Sequence, residues 1–98
     1  MNTEKTEMAA VKVLVHGRVQ AVGFRFFTIR QANELGLTGY VRNLENGTSV
    51  ECVAEGEKGN LEKLVSRLKE GPRFARVEKI ETSWSGYSGA YPDFSSRP

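Results

Sequence analysis

From Val11 the apolar positions alternate: Val11, Val13 and Val15 share one parity, while Lys12 and His16 take the other. That period of two predicts a half-buried strand ending near Arg18. From about Phe24 the spacing becomes helical, with Phe27, Ala32 and Leu35 on one face and Phe26 and Ile29 flanking it. Gly36 is well placed to end this helix. Thr38 to Leu44 reads as a second strand, and Asn46-Gly47 as a hairpin turn, since both residues tolerate positive φ. The third strand, about Thr48 to Glu55, puts Val50, Cys52 and Ala54 on one face. Leu61, Leu64, Val65 and Leu68 then recur at i, i+3, i+4 and i+7, the mark of a second amphipathic helix, stopped by Gly71-Pro72. A fourth strand runs from about Arg76 to Trp84. Its apolar parity shifts between Val77 and Ile80, which predicts a bulge or an edge position. After a Gly-, Ser- and Tyr-rich loop from Gly86 to Pro92, the residues around Phe94 can add a short edge strand.

The order β-α-β-β-α-β predicts a ferredoxin-like split βαβ sandwich of the α+β class, an antiparallel sheet with two helices on one face. Its first βαβ unit makes strands one and two run the same way, so their C-terminal ends share one edge of the sheet. With strand three between them, those ends lie roughly 10 Å apart, two inter-strand spacings. The end of strand one, the start of the first helix and Asn43 at the end of strand two therefore converge.

Composition narrows the class of protein. The 98 residues suit one domain with one core, taken as residues 11–98 behind a poorly ordered polar tail at 1–10. With 39% hydrophobic and 27% charged residues, the chain reads as an ordinary soluble globular protein. The net charge of +2 comes from 14 basic and 12 acidic side chains scattered along the chain, with no block to form a nucleic-acid stripe. Cys52 is the only cysteine, which rules out an internal disulfide or a thiolate metal site. The start, Met1 to Glu7, lacks the apolar core of a signal peptide, and no apolar run approaches a membrane span. The expectation is a reduced, cytoplasmic domain, a monomer by default, without a nucleic-acid or membrane partner.

The stretch Gly17-Arg18-Val19-Gln20-Ala21-Val22-Gly23-Phe24-Arg25 carries the candidate chemistry. A loop of small residues leading into a helix turns several backbone N–H groups toward one point, with the positive end of the helix dipole behind it. Arg25 adds a planar fork of donors shaped for phosphate or carboxylate. A generic strand-to-helix turn is the plain alternative, since glycine-bearing turns are common. Taken together, that stretch, Gly39-Tyr40-Val41-Arg42-Asn43 and Asn46-Gly47 resemble the acylphosphatase family from about Val11 to Asp93-Phe94. The resemblance implies hydrolysis of acyl phosphates without a cofactor or metal. Arg25 would bind phosphate together with the loop (Arg18, Val19, Gln20, Ala21, Val22 and Gly23), and Asn43 would orient the attacking water. The family usually has glycine where this chain has Ala21; if that position needs positive φ, alanine costs roughly 1–2 kcal/mol.

Taken alone, Asn43 is more often a turn residue and Arg25 a solvated helix residue; the loop motif beside them reverses both readings. His16 is the only histidine, and it reads as a polar strand residue rather than a catalyst. A P-loop would need Gly-Lys-Ser/Thr where Gly23 is followed by Phe24 and Arg25, and the glycines of a dinucleotide fingerprint are absent. A cysteine phosphatase would need its cysteine in the phosphate loop, whereas Cys52 falls in a strand. An RNA-binding module of this topology stacks bases on central-strand aromatics, and strands one and three offer none. The remaining alternative is a non-catalytic, anion-binding regulatory domain of the same family.

Overall fold

The computed structural model describes residues 7–98. Five strands and two helices follow one another as β1 (Met8–Arg18), α1 (Phe24–Glu34), β2 (Thr38–Asn43), β3 (Ser49–Glu57), α2 (Lys58–Glu70), β4 (Arg76–Gly86) and β5 (Phe94–Ser96). The strands lie in the order β4-β1-β3-β2-β5. This is the ferredoxin-like α+β fold, with β3 between β1 and β2 as the topology requires. The sheet is mixed rather than antiparallel throughout, because β5 pairs parallel to β2 through Gly39↔Phe94 and Val41↔Ser96. A three-residue edge strand arriving from a distant loop takes its direction from where Phe94 can be buried, which local pattern does not encode.

The alternating positions pair across the sheet as one apolar layer: Val11 opposite Ala54, Val13 opposite Cys52, Val15 opposite Val50 and Val41 opposite Cys52. Against this layer pack Leu61, Leu64 and Leu68 of α2, each fully buried, and Phe24 and Ala32 of α1. The buried face of α1 is Phe24, Thr28 and Ala32, spaced four apart; of the expected Phe27, Ala32 and Leu35, Ala32 is fully buried and the other two only partly. Thr28 is tolerated there because its hydroxyl donates to the Phe24 carbonyl at 2.8 Å. Gly36 ends the helix as expected, with Leu37 N–H reaching the Ala32 carbonyl (2.9 Å) and Gly36 N–H the Asn33 carbonyl (3.1 Å).

Two further details differ from the sequence reading and a third agrees with it. β1 begins at Met8, with Ala9 and Ala10 buried, so the expected tail at 1–10 gives up its last three residues to the sheet. Of the rest of that tail, Glu7 is described, its carbonyl accepting from Lys58 N–H at 2.9 Å, and residues 1–6 lie outside the described residues. The hairpin does not turn on Asn46 and Gly47 alone: Gly47 N–H bonds the Leu44 carbonyl, and only Gly47 takes positive φ. Asn46 contributes its side chain instead, accepting from Thr48 N–H (2.9 Å) and donating to Ser49 Oγ (2.9 Å). The parity shift in β4 is both a bulge and an edge: His16 faces Lys79 and Gly17 faces Val77, leaving Glu78 unpaired on the outermost strand. Gly17 is required at this point, since a Cβ there would sit 2.1 Å from the Arg76 carbonyl oxygen.

Candidate active site

The loop between β1 and α1 is held by its neighbours rather than by itself. The Gln20 side-chain amide donates to the carbonyls of Leu44 (2.8 Å) and Ser49 (2.9 Å), and Gly17 N–H donates to the Thr48 carbonyl (3.0 Å). These bonds tie the end of β1 to the hairpin after Asn43 and so fix the distance between the two halves of the site. Within the loop, Ala21 has φ 61 and Gly23 has φ 79. Ala21 is the only non-glycine residue with positive φ among those described, so the strain that the sequence made conditional is present. Left-handed residues in such a turn make successive N–H groups face inward. None of the N–H groups of residues 20–26 donates to a backbone or side-chain acceptor among the described residues.

Helix α1 reinforces that pole. Its N-cap, Gly23, has no side chain to cap the first turn, and the first turn contains no acidic residue. Neither the cap nor the first turn therefore compensates the positive end of the helix. Arg25, exposed at the second helical position, has no ion-pair partner among the described residues. Arg42, its nearest rival on β2, is taken up by Glu51 at 2.7 Å. Burial opposes the charge of Glu51, but the hydrogen bonds from Arg42 and Tyr40 and the charges of Arg42 and Lys12 outweigh it and hold the carboxyl below its usual range.

Asn43 closes the opposite wall. Its Oδ1 is buried and has no hydrogen-bond partner, the only such side-chain atom among the described residues. A buried acceptor left unmade costs about 1–3 kcal/mol, so the unpartnered Oδ1 is a feature that packing alone does not account for. The cleft that Asn43 lines has a volume of about 340 Å³, small among ligand sites, and is bordered by Val19, Ala21, Gly23, Phe24, Arg25, Phe26, Ile29, Asn43 and Ser96.

The predicted residues thus divide. Val19, Ala21, Gly23, Arg25 and Asn43 front this cleft. Arg18 and Gln20 line a different hollow behind the loop, with His16, Thr48 and Glu78, so their side chains do not face the site. Val22 packs against the core and offers only its backbone. His16 is bonded at both nitrogens, to Ser49 Oγ and Glu81 Oε2, each at 2.7 Å, outside the cleft. Cys52 is fully buried, which pushes its thiol up to about 12 and leaves it unreactive in the folded state. Among the described residues no three His, Cys, Asp or Glu side chains gather as a metal cluster, and no helix is long and apolar enough to cross a membrane. Phe24, Phe26, Ile29 and Ser96 also line the cleft and are not among the residues predicted for the site. Ser96 carries no sequence signal, whereas an apolar Phe26 off the core face of α1 was a signal available beside Arg25.

The family model for acylphosphatases matches residues 11–96. The chain belongs to the acylphosphatase family. A protein of Dehalococcoides mccartyi named acylphosphatase is 49% identical over 87 residues, covering 89% of this chain and 96% of that protein. An acylphosphatase of Thermus thermophilus is 51% identical over 82 residues, covering 84% and 92%. The crystal structure of acylphosphatase from Bacillus subtilis superposes with a TM-score of 0.88 at 34% identity, covering 92% of this chain and 99% of that one. At about half identity over most of both chains, acylphosphatase activity, and so membership among the hydrolases, extends to this protein.

Proposed function

We propose that the protein hydrolyses the carboxyl–phosphate anhydride bond of an acyl phosphate, with the phosphate held by the 17–25 loop and Arg25 and the attacking water positioned by Asn43. The observation that carries this reading is the pairing, in one cleft, of unbonded N–H donors at the loop with a buried, unpartnered acceptor at Asn43 Oδ1. Donors suit phosphoryl oxygens. An acceptor repels them and suits a water. A domain that merely bound an anion would gain nothing from Oδ1 in its wall, which argues against the regulatory alternative.

In the reaction the water oxygen forms a bond to phosphorus as the phosphorus–oxygen bond to the acyl group breaks. The bonding pair leaves on the carboxylate, and the proton lost by the water ends on a phosphoryl oxygen, giving orthophosphate. The leaving carboxylate has an intrinsic pKa of roughly 4–5, so it departs without a general acid. What remains is positioning and charge stabilisation. The loop amides and the Arg25 fork supply the second, and Asn43 supplies the first without adding a negative charge beside the phosphate.

Purified protein assayed on benzoyl phosphate with a chelator present tests the reading directly, and turnover is the expected result. Arg25→Lys is expected to lower kcat/KM by about 100-fold or more, because a point charge does not reproduce a bidentate fork. Inorganic phosphate is expected to inhibit competitively. A lysine variant with near-normal kcat/KM, or purely non-competitive inhibition, contradicts the assignment.

A further inference from the structure

The cleft has a second end that phosphate binding does not use. Phe26 is 71% exposed in the first turn of α1, although its neighbours Phe24 and Phe27 are drawn inward and lie ring against ring, centroids 5.9 Å apart. Phe26 takes no part in that cluster and instead lines the cleft, together with Ile29 one turn on. Ile29 is a helix-surface neighbour of both Phe26 (i, i+3) and Arg25 (i, i+4), and all three line the cleft. The guanidinium and an apolar wall therefore border the same space. Arg25 is the only charged side chain in the lining, and the phosphate claims it.

We propose that Phe26, backed by Ile29, is the wall against which the acyl part of the substrate packs, selecting acyl phosphates whose acyl group is apolar and bulky. This rests on the phosphate and water assignments made above. An acyl group bearing a second carboxylate, a phosphate or an amine finds no charge complement in the lining and loses hydration on entering. An apolar group of ring size covers the exposed Phe26 face as well as its own. Space allows it: a cavity of roughly 150 Å³ takes a benzene ring, and the cleft encloses about 340 Å³ for phosphate and ring together.

The test compares benzoyl phosphate with acetyl phosphate, which share the reacting group and differ in the acyl part. Wild-type protein is expected to favour the benzoyl compound in kcat/KM by about tenfold or more, the range open to apolar contacts. Phe26→Ala is expected to cut that preference about fivefold or more, mainly through KM for benzoyl phosphate, and Phe26→Leu to cut it less. The inhibition constant of inorganic phosphate, which has no acyl group, is expected to move less than twofold. Because Phe26 is largely exposed, the urea midpoint of Phe26→Ala is expected to stay near that of wild type. An unchanged benzoyl-to-acetyl ratio in Phe26→Ala, or an equal loss on both substrates, overturns the role given to Phe26. Failure of wild-type protein to hydrolyse either compound overturns the proposed hydrolysis itself, and this inference with it.

Discussion

Ala21 sits in the loop between β1 and α1 at φ 61, a conformation in which its methyl group crowds the following carbonyl. Two residues on, Gly23 takes φ 79 without that penalty. The loop thus carries strain at one position and none at the other, and the strain persists because Gln20 and the helix fix the chain on either side. Ala21→Gly is expected to raise stability by about 0.5–1 kcal/mol, the left-handed penalty less the extra freedom glycine gains when unfolded. The loop path is already one that glycine prefers, so kcat and phosphate inhibition are expected to stay within about twofold. An unchanged or lower urea midpoint would place the strain elsewhere. At this scale the sequence was partly legible. Glycines at 17 and 23 predict a tight loop into the helix, while residue type alone leaves an anion loop and a generic turn both open. Whether position 21 needs positive φ, and whether Asn43 Oδ1 has a partner, are matters of backbone path and neighbours that residue type does not carry.

The elements have a division of labour between the two faces of the sheet. The helix-covered face holds the core, while the other carries polar groups that β3 buries and pairs: Glu51 with Arg42, Tyr40 and Lys12, and Glu55 with the N–H groups of Ser88 and Gly89 and the Ser88 hydroxyl. These carboxylates anchor β2 and the 87–91 loop across β3. The carboxyl of Glu51 is held below its ordinary value, so its charge contributes stability above the ordinary carboxylate range, and that contribution is lost as pH falls through the depressed value. Urea midpoints of wild type and Glu51→Gln are therefore expected to differ at pH 7, with the variant lower, and to converge as pH falls through the depressed value. A gap that persists or widens in acid contradicts the ion-pair account. The alternating residues of β1 and β3, the leucines of α2 and the bulge between Val77 and Ile80 were all readable, because periodicity reports which face a strand or helix buries. The face of α1 was not, since Phe24, Phe26 and Phe27 compete for burial and only the packing against Gly71 and the sheet decides among them. The parallel pairing of β5 was likewise hidden, being set by contacts more than 50 residues apart in sequence.

Across the whole molecule, the fold does the assembling. The ends of β1 and β2 meet at one edge because β3 lies between them, and the hairpin bonds from Gln20 hold the loop against the strand that bears Asn43. Arg25 rises from the same edge on α1, and β5 brings Ser96 to it from the far end of the chain. No group in the cleft is an acid–base pair, consistent with a leaving group that needs no proton. The central claim is that one half of this edge binds phosphate while the other places water. Asn43→Ala separates the two most directly, measured for kcat, phosphate inhibition constant and urea midpoint on the same preparation. The account predicts kcat lower by about 100-fold or more, since misplacing a reacting group costs that much, with phosphate inhibition within a few-fold and stability down by no more than about 1–2 kcal/mol. A folded Asn43→Ala protein that turns over at the wild-type rate would contradict it.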